Sequence, residues 1–264
     1  MPLIDIGANL TSSQFDNDRE AVIARAVDAG VAVMIVTGTS ARDNAAARTL
    51  ARAHPQCLYA TAGLHPHLAD HFDTAFEAQL REDLRAPDVV AAGEMGLDFY
   101  RDLSPRPVQE RAFAAQLALA AEAGKPVFLH QRDAHARLLP MLREVRDTLV
   151  DGVVHCFTDT RAALYDYLDL GLSIGITGWV CDQRRGAALR TVIADIPADR
   201  LMIETDAPYL LPQTLRPRPR SRRNEPAWLP WVLQTIAALR PESEESLAAL
   251  TSANARRFFR LPSD

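Results

Sequence analysis

The chain has 264 residues, 48% of them hydrophobic, and a net charge of -5 at pH 7. That is ample apolar material for one large domain with its own core, and the acidic balance excludes a protein coated in positive potential for bulk nucleic-acid binding, though not a local basic patch. The opening MPLIDIG lacks the basic start of a secretory signal, and no apolar run approaches the roughly 18 residues of a membrane span, so a cytoplasmic protein with no membrane partner is expected.

Segment 3–10 (LIDIGANL) reads as a first strand, and 16–30 carries apolar residues at helical spacing up to Gly30, a helix stop. A second strand at 31–38 and helix at 42–53 follow, then a third strand at 57–64 running into His65, and a helix at 73–85. Strand four spans 89–97. A long helix at 107–123, opened by the polar turn of Gln109, Glu110 and Arg111, leads to strand five at 126–130. The helix at 133–148, strand six at 152–157, helix at 160–170, strand seven at 172–177, helix at 183–194 and strand eight at 201–205 complete the alternation. Two closing helices are expected at 226–239 and 243–259.

Eight strands each followed by a helix predict a (β/α)8 (TIM) barrel occupying 1–264 as a single domain. A doubly wound open sheet is the alternative. The barrel is preferred because the eight units leave no room for a second domain and no GxGxxG follows any strand.

Functional residues of such a barrel sit at the C-terminal ends of its strands. Strand three ends at His65, strand four reaches Glu94, strand five ends at His130, strand six carries His155, and strand eight ends at Asp206. One strand-end histidine alone is more often a satisfied core residue. Three histidines and two acids converging on one mouth point instead to a divalent metal, since imidazole nitrogen with carboxylate oxygen suits magnesium, manganese or zinc. His54, His71 and His135 read as structural or solvated, and His67 shares its loop with His65. Asp98 and Arg132 are placed to orient ligands or grip a charged substrate.

Cys57, Cys156 and Cys181 are odd in number and lack CxxC spacing, so reduced thiols are expected. Of the 29 basic residues only Lys125 is a lysine, at the entering end of strand five. That disfavours a Schiff-base aldolase and a metal pair bridged by a modified lysine. Five arginines, Arg216, Arg218, Arg220, Arg222 and Arg223, crowd one proline-stiffened loop after strand eight. Such runs are commonly just solvated surface; beside a metal-bearing mouth, this one suits phosphate recruitment. Phe99, Tyr100, Trp179 and Tyr209 follow strand ends and could stack on bases.

The segments GLHPH (63–67), GEMGLDFYRD (93–102), PVFLHQRDAH (126–135), HCFTDT (155–160), GITGWVCDQRRG (175–186), ETDAPYLLP (204–212) and RRNEPAWLP (222–230) together resemble the TatD family of metal-dependent deoxyribonucleases. The resemblance covers essentially the whole chain. It implies a barrel hydrolase that uses magnesium or a similar ion, with manganese or zinc as alternatives, to trim single-stranded DNA from the 3′ end, RNA being a possible further substrate. By position, Glu94, His130 and His155 match metal ligands, Asp206 matches the strand-eight aspartate, and His65 matches a histidine lining the substrate site.

Much of the family carries a histidine pair, HxH, on strand one, where this sequence has Gly7 and Asn9. Two ligands for a second metal are thereby absent. The expected chemistry has Asp206 as ligand or base and His65 as a catalytic group stabilising charge on the phosphate, with His65, Arg132, Arg222 and Arg223 holding the substrate, in a chain acting as a monomer. The same mouth would also suit hydrolysis of another ester, such as aminoacyl-tRNA, or nucleic-acid binding without catalysis.

Overall fold

The computed structural model describes residues 2–262 and forms a single eight-stranded sheet with the strands in sequential order. The strands are β1 (Leu3–Ala8), β2 (Val31–Val36), β3 (Leu58–Ala62), β4 (Val89–Asp98), β5 (Val127–Arg132), β6 (Gly152–Val154), β7 (Ser173–Ile176) and β8 (Leu201–Ile203). Every ladder is parallel. The seam between first and last strands is closed just past the ladder, where Asp206 N–H donates to Gly7 O at 2.8 Å and Asn9 N–H to Ala207 O at 2.7 Å. This is the TIM barrel that the alternation predicts.

Parallel strands buried on both faces need apolar residues in both directions. Ile4, Ile6, Val33, Ile35, Phe128, Val153 and Met202 fill the interior cluster, while Leu3, Met34 and Val36 belong to the larger cluster that includes the surrounding helices. Those helices are α1 (Arg19–Asp28), α2 (Ala41–Ala53), α3 (Thr74–Arg85), α4 (Arg106–Ala123), α5 (His135–Val145), α6 (Arg161–Asp169), α7 (Ala187–Arg190), α8 (Leu229–Ala237) and α9 (Glu244–Phe259). Phe258 and Phe259 at the end of α9 join the interior cluster. Ser252 and Asn254 hydrogen-bond the carbonyls of Pro2 and Leu201, so α9 closes the barrel at the strand starts, opposite the functional ends.

The expected helix at 183–194 is not continuous: it shrinks to α7 and a 3-10 turn, Ile193–Asp195. The Asp182 carboxylate accepts the backbone N–H groups of Arg184 and Arg185, a local turn that competes with helical bonding. The helix expected at 16–30 likewise starts only at Arg19, behind a 3-10 turn capped by Ser12. β6 and β8 stop earlier than expected, at Val154 and Ile203, and shortly beyond them Cys156 and Asp206 take left-handed backbone angles, φ +47° and +52°. Gln109, assigned from sequence to a polar opening turn, is fully buried.

Candidate active site

The five strand-end residues meet in one cleft of about 820 Å³, whose walls include His65, Glu94, His130, His155 and Asp206 together with Asn9, Asp98, Arg132, Trp179 and Tyr209. Glu94 lies within β4, not at its end. Its Oε1 is the centre of the site: His130 Nδ1 and His155 Nε2 each approach it at 2.8 Å, and His65 Nε2 at 3.4 Å.

Each of the two closer histidines has its other nitrogen held by a second buried carboxylate. His130 Nε2 faces Asp98 Oδ2 at 3.2 Å, and His155 Nδ1 faces Glu204 Oε2 at 3.3 Å. A carboxylate behind a histidine fixes the ring and its tautomer, the usual support of a metal ligand. Asp98 also accepts from His67 Nε2 at 2.7 Å and from the backbone N–H groups of Tyr100 and Arg101. Glu204 accepts from Cys156 N–H at 2.5 Å.

The electrostatics follow from this packing. Burial pushes the Glu94 carboxyl up, but His155, His65 and His130 more than offset it and hold the group well below the carboxylate range. Burial lowers both ligand-side histidines, yet Asp98 and Glu94 raise His130, while Glu94 and Glu204 carry His155 well above its ordinary value. The Glu94 anion thus favours positive charge on the histidines at either side of it. A divalent cation would supply such charge, and carboxylate oxygen with imidazole nitrogen is a donor set that fits such an ion.

His65 differs. Its Nδ1 accepts the backbone N–H of His67 at 3.1 Å, so a neutral ring carries its proton on Nε2, and burial keeps it neutral, pulling it down to about 4. His65, Glu94 and His130 do offer donor atoms within 4.8 Å of one another. The proton on Nε2 makes His65 a hydrogen-bond donor to the cleft, which leaves His155 the better third ligand.

Asp206 reaches the same cleft, and among the described residues the one hydrogen bond to its side chain comes from Asn9 Nδ2, at 2.9 Å to Oδ1. Burial raises its carboxyl to about 7, with the charges of Glu94 and Glu204 adding to the effect and His155 opposing it. A cation bound nearby would restore the anion. Asn9, at one of the two strand-one positions lacking histidine, is therefore the residue that orients Asp206. At the other, Gly7, an added Cβ would come 2.5 Å from Glu204 Oε2, and at Gly175 one would come 2.7 Å from Oε1. The two glycines leave the space in which the Glu204 carboxylate sits.

The arginines divide. Arg132 lines the cleft and stacks over Tyr100, its Cζ 4.0 Å from the ring centroid. Arg222 lines a neighbouring cavity rather than the cleft. Arg223 is not in either wall: it pairs with Asp18 at 2.7 Å and Glu225 at 2.8 Å, and donates to Gln14 O. Its role in the structure is to anchor the loop to the segment before α1.

Sequence reasoning missed the parts played by Glu204, Asn9, Gln109 and Gln116. Glu204 carries a readable signal, since it is the acid at which the apolar run 201–203 stops, two residues before Asp206. The glutamines carry none. Gln116 on α4 caps Leu64, accepting its N–H and donating to its O, and so positions the residue before His65. Gln109 does the same for Asp98 while also donating to Ser104 O.

The chain matches the family model described as TatD related DNase over residues 4–260. It is 54% identical over 259 residues to the protein named 3′-5′ ssDNA/RNA exonuclease TatD of Rahnella sp. (strain Y9602), covering 98% of both chains. The Pantoea vagans (strain C9-1) protein of the same name is also 54% identical over 259 residues, covering 98% of this chain and 100% of that one. Among solved structures, YJJV, a TatD homolog from Escherichia coli K12, superposes with a TM-score of 0.90 at 32% identity over 98% of each chain.

Proposed function

The chain belongs to the TatD related DNase family, and from that premise we propose that it is a metal-dependent hydrolase removing nucleotides from the 3′ end of single-stranded DNA, with RNA as a further substrate. Full-length relatives at 54% identity carry the matching name. The observation that carries the reading is Glu94 Oε1 flanked at 2.8 Å by His130 and His155, each backed by its own buried carboxylate.

Glu94, His130 and His155 would hold the ion. When bound, a divalent cation supplies Lewis acidity to the scissile phosphate and to water. Magnesium is the proposed ion. Phosphate and carboxylate oxygens suit its hardness, whereas the two imidazoles would also accept manganese or zinc. Asp98 and Glu204 hold the outer N–H groups of His130 and His155, keeping the inner nitrogens directed at Glu94.

Asp206 takes the proton of the attacking water. Asn9 fixes one of its oxygens, leaving the other available, and a positioned base of this kind contributes about 10²–10⁴-fold. The His65 Nε2–H donates to a phosphate oxygen, where it stabilises charge as it develops. Arg132, flattened on Tyr100, offers a second donor to the phosphate and a stacked surface to a base. No helix among the described residues is long and apolar enough to cross a membrane. Three unpaired thiols suit the reducing cytoplasm, where the chain is proposed to work as a monomer.

A single-stranded oligonucleotide labelled at its 5′ end tests the reading. With magnesium the labelled product should shorten progressively from the 3′ end. A label released at once as a mononucleotide, or no shortening with magnesium, manganese or zinc, would overturn it.

A further inference from the structure

A second cavity, of about 540 Å³, opens beside the cleft, and Leu210 lines both. Its wall is built from Asp182 and Arg185, which follow β7, and from the loop after β8. The charges in that wall do not cancel. Arg185 is neutralised by Asp182, Nε to Oδ2 at 2.7 Å. Arg218, Arg220 and Arg222 remain, and among the described residues no hydrogen bond, ion pair or ring contact engages their guanidinium groups.

Their neighbours Arg216 and Arg223 are both engaged, Arg216 with backbone carbonyls and Arg223 with Asp18 and Glu225. The loop is thus tied down on either side of three free cations. Pro217 and Pro219 alternate with them, each fixing φ and reducing the entropy lost when the arginines are ordered on a ligand. On a chain of net charge -5, such a concentration of cations attracts polyanions locally.

Trp179 lines the cleft, and Arg185 of the second cavity packs on it, its Cζ 4.8 Å from the ring centroid. An aromatic face followed by guanidinium groups is the pattern of a single-strand track, where bases stack and phosphates pair.

We propose that this cavity is the subsite for the strand on the 5′ side of the scissile bond, with Trp179 at the crossing and Arg218, Arg220 and Arg222 on successive phosphates. The assignment rests on the 3′-end nucleolytic reading. An enzyme cutting at a 3′ end leaves one nucleotide beyond the bond, with no internucleotide phosphate past it. Several phosphates lie only on the 5′ side, so three arginines outside the cleft match that direction. The subsite would give the enzyme a preference for longer strands that the cleft alone does not supply.

The test compares a dinucleotide with a single strand of about 12 nucleotides, for the wild type and for Arg218→Gln combined with Arg220→Gln. The variant should hydrolyse the dinucleotide within about two-fold of wild type, but lose roughly ten-fold or more in kcat/KM on the longer strand, through KM. The slope of log(kcat/KM) against log[salt] on the longer strand should shrink by about 1.4, two contacts at roughly 0.7 each for single strands. Equal losses on both substrates, or no loss on the longer one, would overturn the subsite, as would a wild type with no preference for length. A wild type that cleaves neither substrate would remove the nucleolytic reading itself.

Discussion

Asp206 and Glu94 are both carboxylates in one buried cleft, yet their surroundings set them apart. Glu94 is ringed by three imidazoles and stays ionised, whereas Asp206 has an amide for a partner and is pushed up to about 7 by burial. The first environment suits a ligand, and the second a base that trades a proton. Replacing Asp206 with Asn keeps a neutral acceptor beside Asn9 but removes the basicity. Turnover should fall by about 10²–10⁴-fold, while metal affinity measured by calorimetry stays within a few-fold; a matching loss of affinity would make Asp206 a ligand instead.

The carboxylates behind the histidines can be separated from the ligands in the same way. Glu204→Gln keeps an acceptor oxygen for Cys156 N–H or His155 but loses the charge that supports His155. The expected effect is a 10–100-fold weaker metal affinity, recoverable at high metal concentration. Activity that cannot be recovered by added metal would place Glu204 in the chemistry itself.

At the scale of elements, the site depends on α4 as much as on the strands. Gln109 satisfies the N–H and O of Asp98 and the O of Ser104, and Gln116 does so for Leu64. Gln109→Leu strands these buried groups, each worth roughly 1–3 kcal/mol when left unpaired. Urea denaturation should show a loss of about 3 kcal/mol or more, accompanied by weaker metal binding because Asp98 loosens. A variant as stable as wild type would mean that water or a neighbouring group takes over the glutamine's bonds.

The seam between β1 and β8 has its own pH dependence. Asp5, fully buried, accepts from the N–H groups of Thr205 and Gly7 and pairs with Thr205 Oγ1 at 2.5 Å. Burial raises its carboxyl from 3.8 to about 7, against the lowering effect of those hydrogen bonds. The folded chain therefore binds this proton more tightly than the unfolded one, so its contribution is full below about pH 4 and is lost as pH rises to about 7. The span corresponds to a free energy on the order of 4 kcal/mol. Asn mimics the protonated acid, so Asp5→Asn should gain stability relative to wild type as pH increases across that window. A difference between the two that stays constant from pH 4 to 8 would show that Asp5 is ionised throughout.

For the molecule as a whole, barrel and mouth were legible for one reason: parallel strands buried on both faces leave apolar runs, and a polar residue at the end of each run is conspicuous. His65, His130, His155 and Asp206 were exposed by that contrast. Glu94 reads as the acid that strand four reaches, and it lies inside that strand. What stayed hidden depends on distant pairing. Arg223 looked like its loop neighbours until Asp18 and Glu225 were seen to claim it. Gln109 and Gln116 sit on a helix whose spacing says nothing of the strand ends they cap. The strand-one departure read as a loss of ligands, but Asn9 holds Asp206 and Gly7 admits Glu204.

If Glu94, His130 and His155 hold the divalent ion on which strand hydrolysis depends, activity must follow metal through these residues. The decisive experiment titrates magnesium into chelator-treated protein and follows mononucleotide release from a single-stranded oligonucleotide, for the wild type and for Glu94→Ala combined with His130→Ala. No release is expected without metal, with saturable recovery in the wild type and none in the double variant at any concentration. Release that survives chelation, or that the double variant regains with magnesium, would contradict it.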